Sequence, residues 1–224
     1  MENPFAHVTE NRPIREIAYE QLKFAIITGQ IPAGSRIVET AYADKLHISR
    51  TPLREALQKL ERDGLVEYVL HRGVIVRAFT ISDIEEIFAI RNAMMMLLLP
   101  SVVENATEEA IDALQDIVDG IEKALAEENM EKVADLNRAF HHGIEKLSDK
   151  LRIMRVIESQ EEYIMRFSAV SIANLDRRNV VNQEHYRMVE MLRNKDLEGL
   201  MELTHQHLEE SKQACLTAVK GRGF

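Results

Sequence analysis

The run Ser49-Arg50-Thr51-Pro52-Leu53-Arg54-Glu55-Ala56-Leu57, continuing through Leu60 to Gly64, restricts the fold more than any other stretch of the chain. Ser49 is a good N-cap residue, and Pro52 falls in the first turn, where its missing N–H is not needed. Leu53, Leu57 and Leu60 recur at helical spacing with Ala56 beside them, which defines a buried stripe. Arg50, Thr51 and Arg54 lie near the N-terminal end and off that stripe. Such residues read base edges when a helix enters a major groove, and an arginine fork suits guanine O6 and N7. The stretch therefore reads as the second helix of a helix-turn-helix, ending at Gly64.

The flanking sequence fits that reading. Pro13 opens a helix to about Thr28, with Ile17, Leu22, Ala25 and Ile26 near its buried side. Ile31-Pro32-Ala33-Gly34-Ser35 is a turn, and Glu39–Leu46 is long enough for the first motif helix, with Ala43 and Leu46 inward. After Gly64, residues 65–69 and 74–77 are β-prone runs around Leu70-His71-Arg72-Gly73, the hairpin of a wing. Residues 1–11 read as a frayed polar lead-in.

From Thr80 the pattern changes to uninterrupted helices. Thr80 with Asp83 forms a capping-box signature, starting a helix that carries Ile84, Ile87, Phe88 and Arg91 towards Leu99-Pro100. Further helices are predicted from Thr107 to Leu125, over 130–147, 149–172 and 177–194, and over 196–219 with Asp196 as cap. The expected fold is mainly α: a winged helix-turn-helix with a small β-hairpin over 1–78, then an all-α antiparallel bundle over 79–224.

Charge bears on partners. The net charge is −9, yet residues 1–77 carry 11 Lys/Arg against 10 Asp/Glu, while the remainder carries 17 against 27. A near-neutral first domain can still present a basic face to phosphate, and the acidic second domain would be kept off it. The single cysteine, Cys215, rules out an intrachain disulfide and fits a cytoplasmic location. No segment looks like a signal peptide or approaches the roughly 18–20 apolar residues of a membrane span, and no membrane partner is expected.

Three of the eight histidines fall on inward helix faces. His141 follows Asn137 by one turn, on the face bordered by Val133, Phe140 and Ile144. His185 is in register with Val181, Met188 and Leu192. His207 is in register with Leu200, Thr204 and Ser211. His185 lies nine residues before Asn194 and His207 13 after it, so an antiparallel pair turning there brings the two to one depth. Burying three imidazoles is costly unless they share partners. Three imidazoles with the Asn137 oxygen suit Zn²⁺, Ni²⁺, Co²⁺ or Fe²⁺, leaving positions open. His142 and His205 point elsewhere around their helices.

Two resemblances add to this. Ile27-Thr28-Gly29, Pro32-Ala33-Gly34, the Ser49–Leu57 run, Leu60–Leu65 and Arg72-Gly73 closely resemble the winged helix-turn-helix of GntR-family transcriptional regulators, over about residues 12–77. That resemblance implies a homodimer on a palindromic double-stranded operator. Ser49, Arg50, Thr51 and Arg54 would contact bases or phosphates, and Arg72 and Gly73 would enter the minor groove. Thr40 stands where many relatives carry Arg.

Residues 80–220 resemble the FCD ligand-binding domain of the FadR subgroup, through Asn137-Arg138-Ala139-Phe140-His141, Glu184-His185 and His207. It implies a divalent metal held by Asn137, His141, His185 and His207, a small carboxylate effector on that metal, and Arg91 as an effector contact. Asn137 replaces the commoner Asp, and Met95 stands where relatives often carry Glu. The resulting expectation is a ligand-responsive repressor, not an enzyme. Two other readings of the bundle stay open on the residues alone: a hydrolase whose metal activates water, or a dimerisation bundle with core histidines.

Overall fold

The structure, a computed structural model, describes residues 12–173 and 175–222. The lead-in expected over 1–11 lies outside them. The chain divides into two compact units between Ala78 and Phe79.

The first unit holds α1 (Ile14–Ile27), β1 (Arg36–Ile37), α2 (Glu39–Lys45), α3 (Arg50–Arg62), β2 (Val66–Val69) and β3 (Gly73–Val76). Leu53, Leu57 and Leu60 are fully buried, as the stripe requires, and α3 packs against α1 and α2. Ser49 takes the extended backbone of an N-cap, but its hydroxyl makes no capping bond. On α1 Leu22 and Ile26 are buried as expected, but the inward face is turned from the expected one. Ile17 is exposed, while Ala18, Tyr19 and Ile27 are buried. The rotation has a polar anchor: Tyr19 Oη donates to Asp63 Oδ2 at 2.5 Å, at the end of α3.

The wing is a three-stranded antiparallel sheet, ordered β1-β3-β2. The hairpin was legible, but β1 was not, because two residues carry no alternation. Arg36 pairs with Ile75 and Ile37 with Val74, which makes β3 the central strand and buries Val74, Ile75 and Val76. Gly73 opens β3 at φ +80°, a conformation that side chains disfavour.

The second unit is a bundle of α4 (Ile81–Asn105), α5 (Glu108–Ala126), α6 (Met130–Lys146), α7 (Leu151–Ala173), α8 (Leu175–Arg193) and α9 (Leu197–Arg222). Both units together give the mainly α architecture with a small wing. Each predicted cap in this unit is made. Thr80 Oγ1 accepts from the Asp83 N–H at 3.1 Å while Asp83 Oδ2 accepts from the Thr80 N–H at 2.7 Å. Asp196 Oδ1 accepts from the Gly199 N–H at 2.9 Å. Thr80→Ala removes half of the capping box and is expected to cost about 1 kcal/mol in equilibrium unfolding.

α4 departs from expectation by continuing through Pro100. Proline forfeits one helix bond, but the last turn is pinned from outside. Ser101 Oγ donates to Asp149 Oδ1 at 2.8 Å, and Asn105 Nδ2 donates to the Leu147 carbonyl at 3.1 Å. Val102 and Val103 are buried beyond the proline. Tertiary packing overrides the local break. The longer helix also corrects the expectation about membrane spans: α4 is long and apolar enough to cross one, with mean hydropathy 1.5, but 50% of that stretch is buried inside the unit. Burial of that extent is what the core helix of a bundle shows.

The core gathers Ile84, Leu98, Leu99, Phe140, Met188, Leu192 and Leu200 around α4, α6, α8 and α9. α5 and α6 pack closely because position 143 lacks a side chain: a Cβ there would lie 2.7 Å from Leu114 Cδ2.

Candidate metal centre and nucleic-acid interface

α6, α8 and α9 bring the three histidines together inside the second unit. Ligand nitrogens of His141, His185 and His207 all lie within 4.8 Å of one another. Ring centroids are 5.0 Å apart for His141–His185, 5.3 Å for His141–His207 and 5.2 Å for His185–His207. Phe140 closes one side, its centroid 4.3 Å from that of His185. His185 is fully buried, and among the described residues neither of its ring nitrogens has a hydrogen-bond partner. That is a costly arrangement for a polar ring in a dry core.

Burial holds the His141 and His185 imidazoles well below the usual histidine range, with the neighbouring histidines and an arginine, Arg91 for His141 and Arg177 for His185, adding to it. Both rings are therefore neutral near pH 7, the form that offers a lone pair to a cation. Asn137 is buried one turn before His141 on the same helix. His142 and His205 are turned away: His142 Nδ1 lies 3.7 Å from Glu145 Oε2, and exposed His205 Nδ1 is 3.1 Å from Asn92 Oδ1.

Behind His207 stands a buried polar network. Glu184 Oε2 is 2.6 Å from His207 Nδ1. Arg177 grips Glu184 with both ends of its fork, Nη1 to Oε1 at 2.7 Å and Nη2 to Oε2 at 2.8 Å, and Nη2 also donates to the His207 carbonyl at 3.2 Å. Burial alone would push the Glu184 carboxyl up. Its bonds to His207 and Arg177 outweigh that and hold it below the usual range. An ionised carboxylate on Nδ1 fixes the ring and leaves Nε2 as the nitrogen that can meet a cation, an arrangement that orients metal-binding imidazoles. Glu184 was visible in sequence only beside His185, and Arg177 was missed. Their seven-residue spacing on α8 is the signal that could have found the pair, since it places both on one helix face.

Arg91 is buried rather than on the helix surface, and its Nη2 donates to Glu145 Oε1 at 2.6 Å. Burial raises the Glu145 carboxyl more than Arg91 and His142 lower it. Met95 is buried in the core.

In the first unit, Ser49, Arg50, Thr51 and Arg54 sit on one exposed helix end, and Arg72 is exposed at the wing beside Gly73. Arg50 and Arg54 are not independent. Glu39 Oε2, on the first residue of α2, accepts from Arg54 Nε at 2.7 Å and from Arg50 Nη2 at 3.2 Å. Glu39 drew no attention in sequence, because this contact joins two helices.

Comparison with known proteins adds two family matches: residues 14–76 match the gntR family of bacterial regulatory proteins, and residues 86–210 match the FCD domain. An HTH-type transcriptional regulator of Bacillus subtilis (strain 168), YdhC, is 29% identical over 182 residues, 81% of each chain. The solved structure of Escherichia coli McbR/YncC superposes with TM-score 0.71 at 20% identity, covering 93% of this chain and 99% of that one. A putative GntR transcriptional regulator from Rhodococcus sp. RHA1 gives TM-score 0.68 at 25% identity, over 91% of this chain and 98% of its own.

Proposed function

The chain belongs to the GntR family of bacterial regulatory proteins as a DNA-binding transcriptional regulator with an FCD domain, and on that premise we propose that residues 79–224 sense a small organic acid through a divalent transition metal. Its family consists of transcriptional regulators rather than enzymes. GntR regulators bind operator DNA, usually as dimers. The observation that carries the sensing role is His185, buried beside two other imidazoles with no partner for either ring nitrogen among the described residues.

The donor set fits a borderline cation such as Zn²⁺, Ni²⁺, Co²⁺ or Fe²⁺. His141, His185 and His207 would hold it, with the oxygen of Asn137 as the fourth donor. Such an ion supplies a Lewis-acidic position at which a carboxylate oxygen can bind. Asn137 is neutral, so it offsets none of the ion's charge and the site favours an anion more than a carboxylate ligand would allow. Arg91 is the second anchor, and an effector carboxylate reaching it shares the guanidinium with Glu145. A solvated face at Ser49, Arg50, Thr51 and Arg54, with Arg72 and Gly73 at the wing, serves as the DNA-reading surface. Two such units in a cytoplasmic homodimer match a palindromic operator.

Effector binding changes operator affinity only by its differential affinity for the DNA-competent state and the alternative state. We assign repression as the direction of control, since occupancy of an operator excludes polymerase without any activating surface. Metal analysis of the purified protein tests the proposal, followed by titration of mono- and dicarboxylates against the operator complex. Bound metal is expected in wild type, with both metal and effector response lost in His185→Ala and basal operator binding retained. A full response in verified metal-free protein would overturn it.

A further inference from the structure

The placement of Glu39 has a consequence for how DNA is read. Arg50 and Arg54 are each 56% exposed at the side chain, whereas the Glu39 side chain is 21% exposed and meets both with a single oxygen. Burial alone would raise the Glu39 carboxyl, but the two guanidinium groups outweigh it, so the residue is ionised. Ion pairs this exposed contribute little to stability. Their effect is on orientation. Arg54 is held through Nε, which leaves both terminal nitrogens for a fork, while Arg50 is held through one terminal nitrogen. A long, mobile arginine becomes aimed, and less conformational freedom is lost on meeting a base.

We propose that Glu39 is a positioning residue for sequence discrimination, aiming Arg50 and Arg54 at guanine edges while its negative charge penalises loose contact with phosphate. This inference rests on the reading of Arg50 and Arg54 as base contacts. Attraction on one kind of site combines with repulsion on the other. On a cognate site both guanidinium groups satisfy base and carboxylate together. On other DNA they turn to phosphate, and the Glu39 carboxylate is left facing a polyanion. Specificity arises from that second state as much as from the first.

The two effects give opposite signs for one substitution. Glu39→Gln removes a negative charge without changing shape. Binding to arbitrary DNA should tighten, and its dependence on salt should steepen by about one phosphate equivalent. Preference for the cognate site should fall about tenfold. A merely structural role would weaken both affinities in parallel.

The test uses the full-length dimer and a duplex library with a randomised central segment. Sites enriched by wild type supply the probe, and a shuffled duplex of equal composition supplies the control. Glu39→Gln is expected to lower the enriched-to-shuffled affinity ratio about tenfold, with tighter binding to the shuffled duplex and an unchanged melting temperature. In an Arg54→Ala, Arg50→Ala background the same substitution should no longer change the ratio, because the groups it aims are gone. A wild-type ratio in Glu39→Gln, or an equal loss on both duplexes, overturns the role of Glu39 while leaving the arginine contacts standing. Failure of wild type to enrich any sequence overturns both.

Discussion

Arg177→Met is expected to lower the unfolding free energy of residues 79–224 by about 3–5 kcal/mol, the cost of leaving a buried carboxylate without its cation. Arg177 and Glu184 are 8% and 7% exposed at their side chains, and the pair is bidentate, so solvent cannot take the arginine's place. The deleted group also releases the His207 carbonyl from its 3.2 Å bond. Chemical denaturation with full-length protein measures the loss, and Arg177→Lys should fall between the two, because an ammonium cannot reproduce the fork. Arg177→Met combined with Glu184→Leu should recover part of the loss by removing the stranded charge. The same double variant must bind Zn²⁺ more weakly, by about 10–100-fold, since His207 no longer has a carboxylate on Nδ1. Equal stability in wild type and Arg177→Met would show that the network is dispensable.

The contrast between the two sites shows what sequence can carry. Helix α3 and the inward histidines were legible because each depends on local periodicity. Leu53, Leu57 and Leu60 fix which side of α3 is buried, and Asn137 with His141 fixes one face of α6. The caps at Thr80, Thr107 and Asp196 were similarly local, each accepting from the residue three ahead. What escaped was long-range. Glu39 meets Arg54 across 15 residues, and Arg91 meets Glu145 across 54. Charges of opposite sign are abundant on both sides of each pair, so no spacing singles out the partner. β1 escaped for a different reason, being defined by its neighbour β3 rather than by its own two residues. The continuation of α4 beyond Pro100 belongs with these, because Ser101 and Asn105 find their partners on the far side of α6.

Removing Arg50 and Arg54 is expected to have the largest effect on function. Each alanine substitution should cost about 1–3 kcal/mol of discrimination at the base pair that arginine reads. Because one oxygen of Glu39 holds both side chains, the two costs should not add. Loss of Arg54 leaves Glu39 with only the longer, 3.2 Å bond to Arg50, so its charge is poorly compensated and Arg50 loses the neighbour that shared its anchor. The double variant should therefore lose less than the sum of the single losses, while Arg54→Ala alone should be the more damaging of the two. Arg72→Ala provides the contrast at the wing. If Arg72 meets phosphate, affinity falls alike on enriched and shuffled duplexes, and the salt slope drops by about 1. Titrations at several salt concentrations separate the two behaviours. Unchanged affinity and unchanged sequence preference in both Arg50→Ala and Arg54→Ala would remove α3 as the reading helix. A change confined to the arginine variants, with the fold of α3 held by its buried leucines, assigns discrimination to the exposed end of that helix.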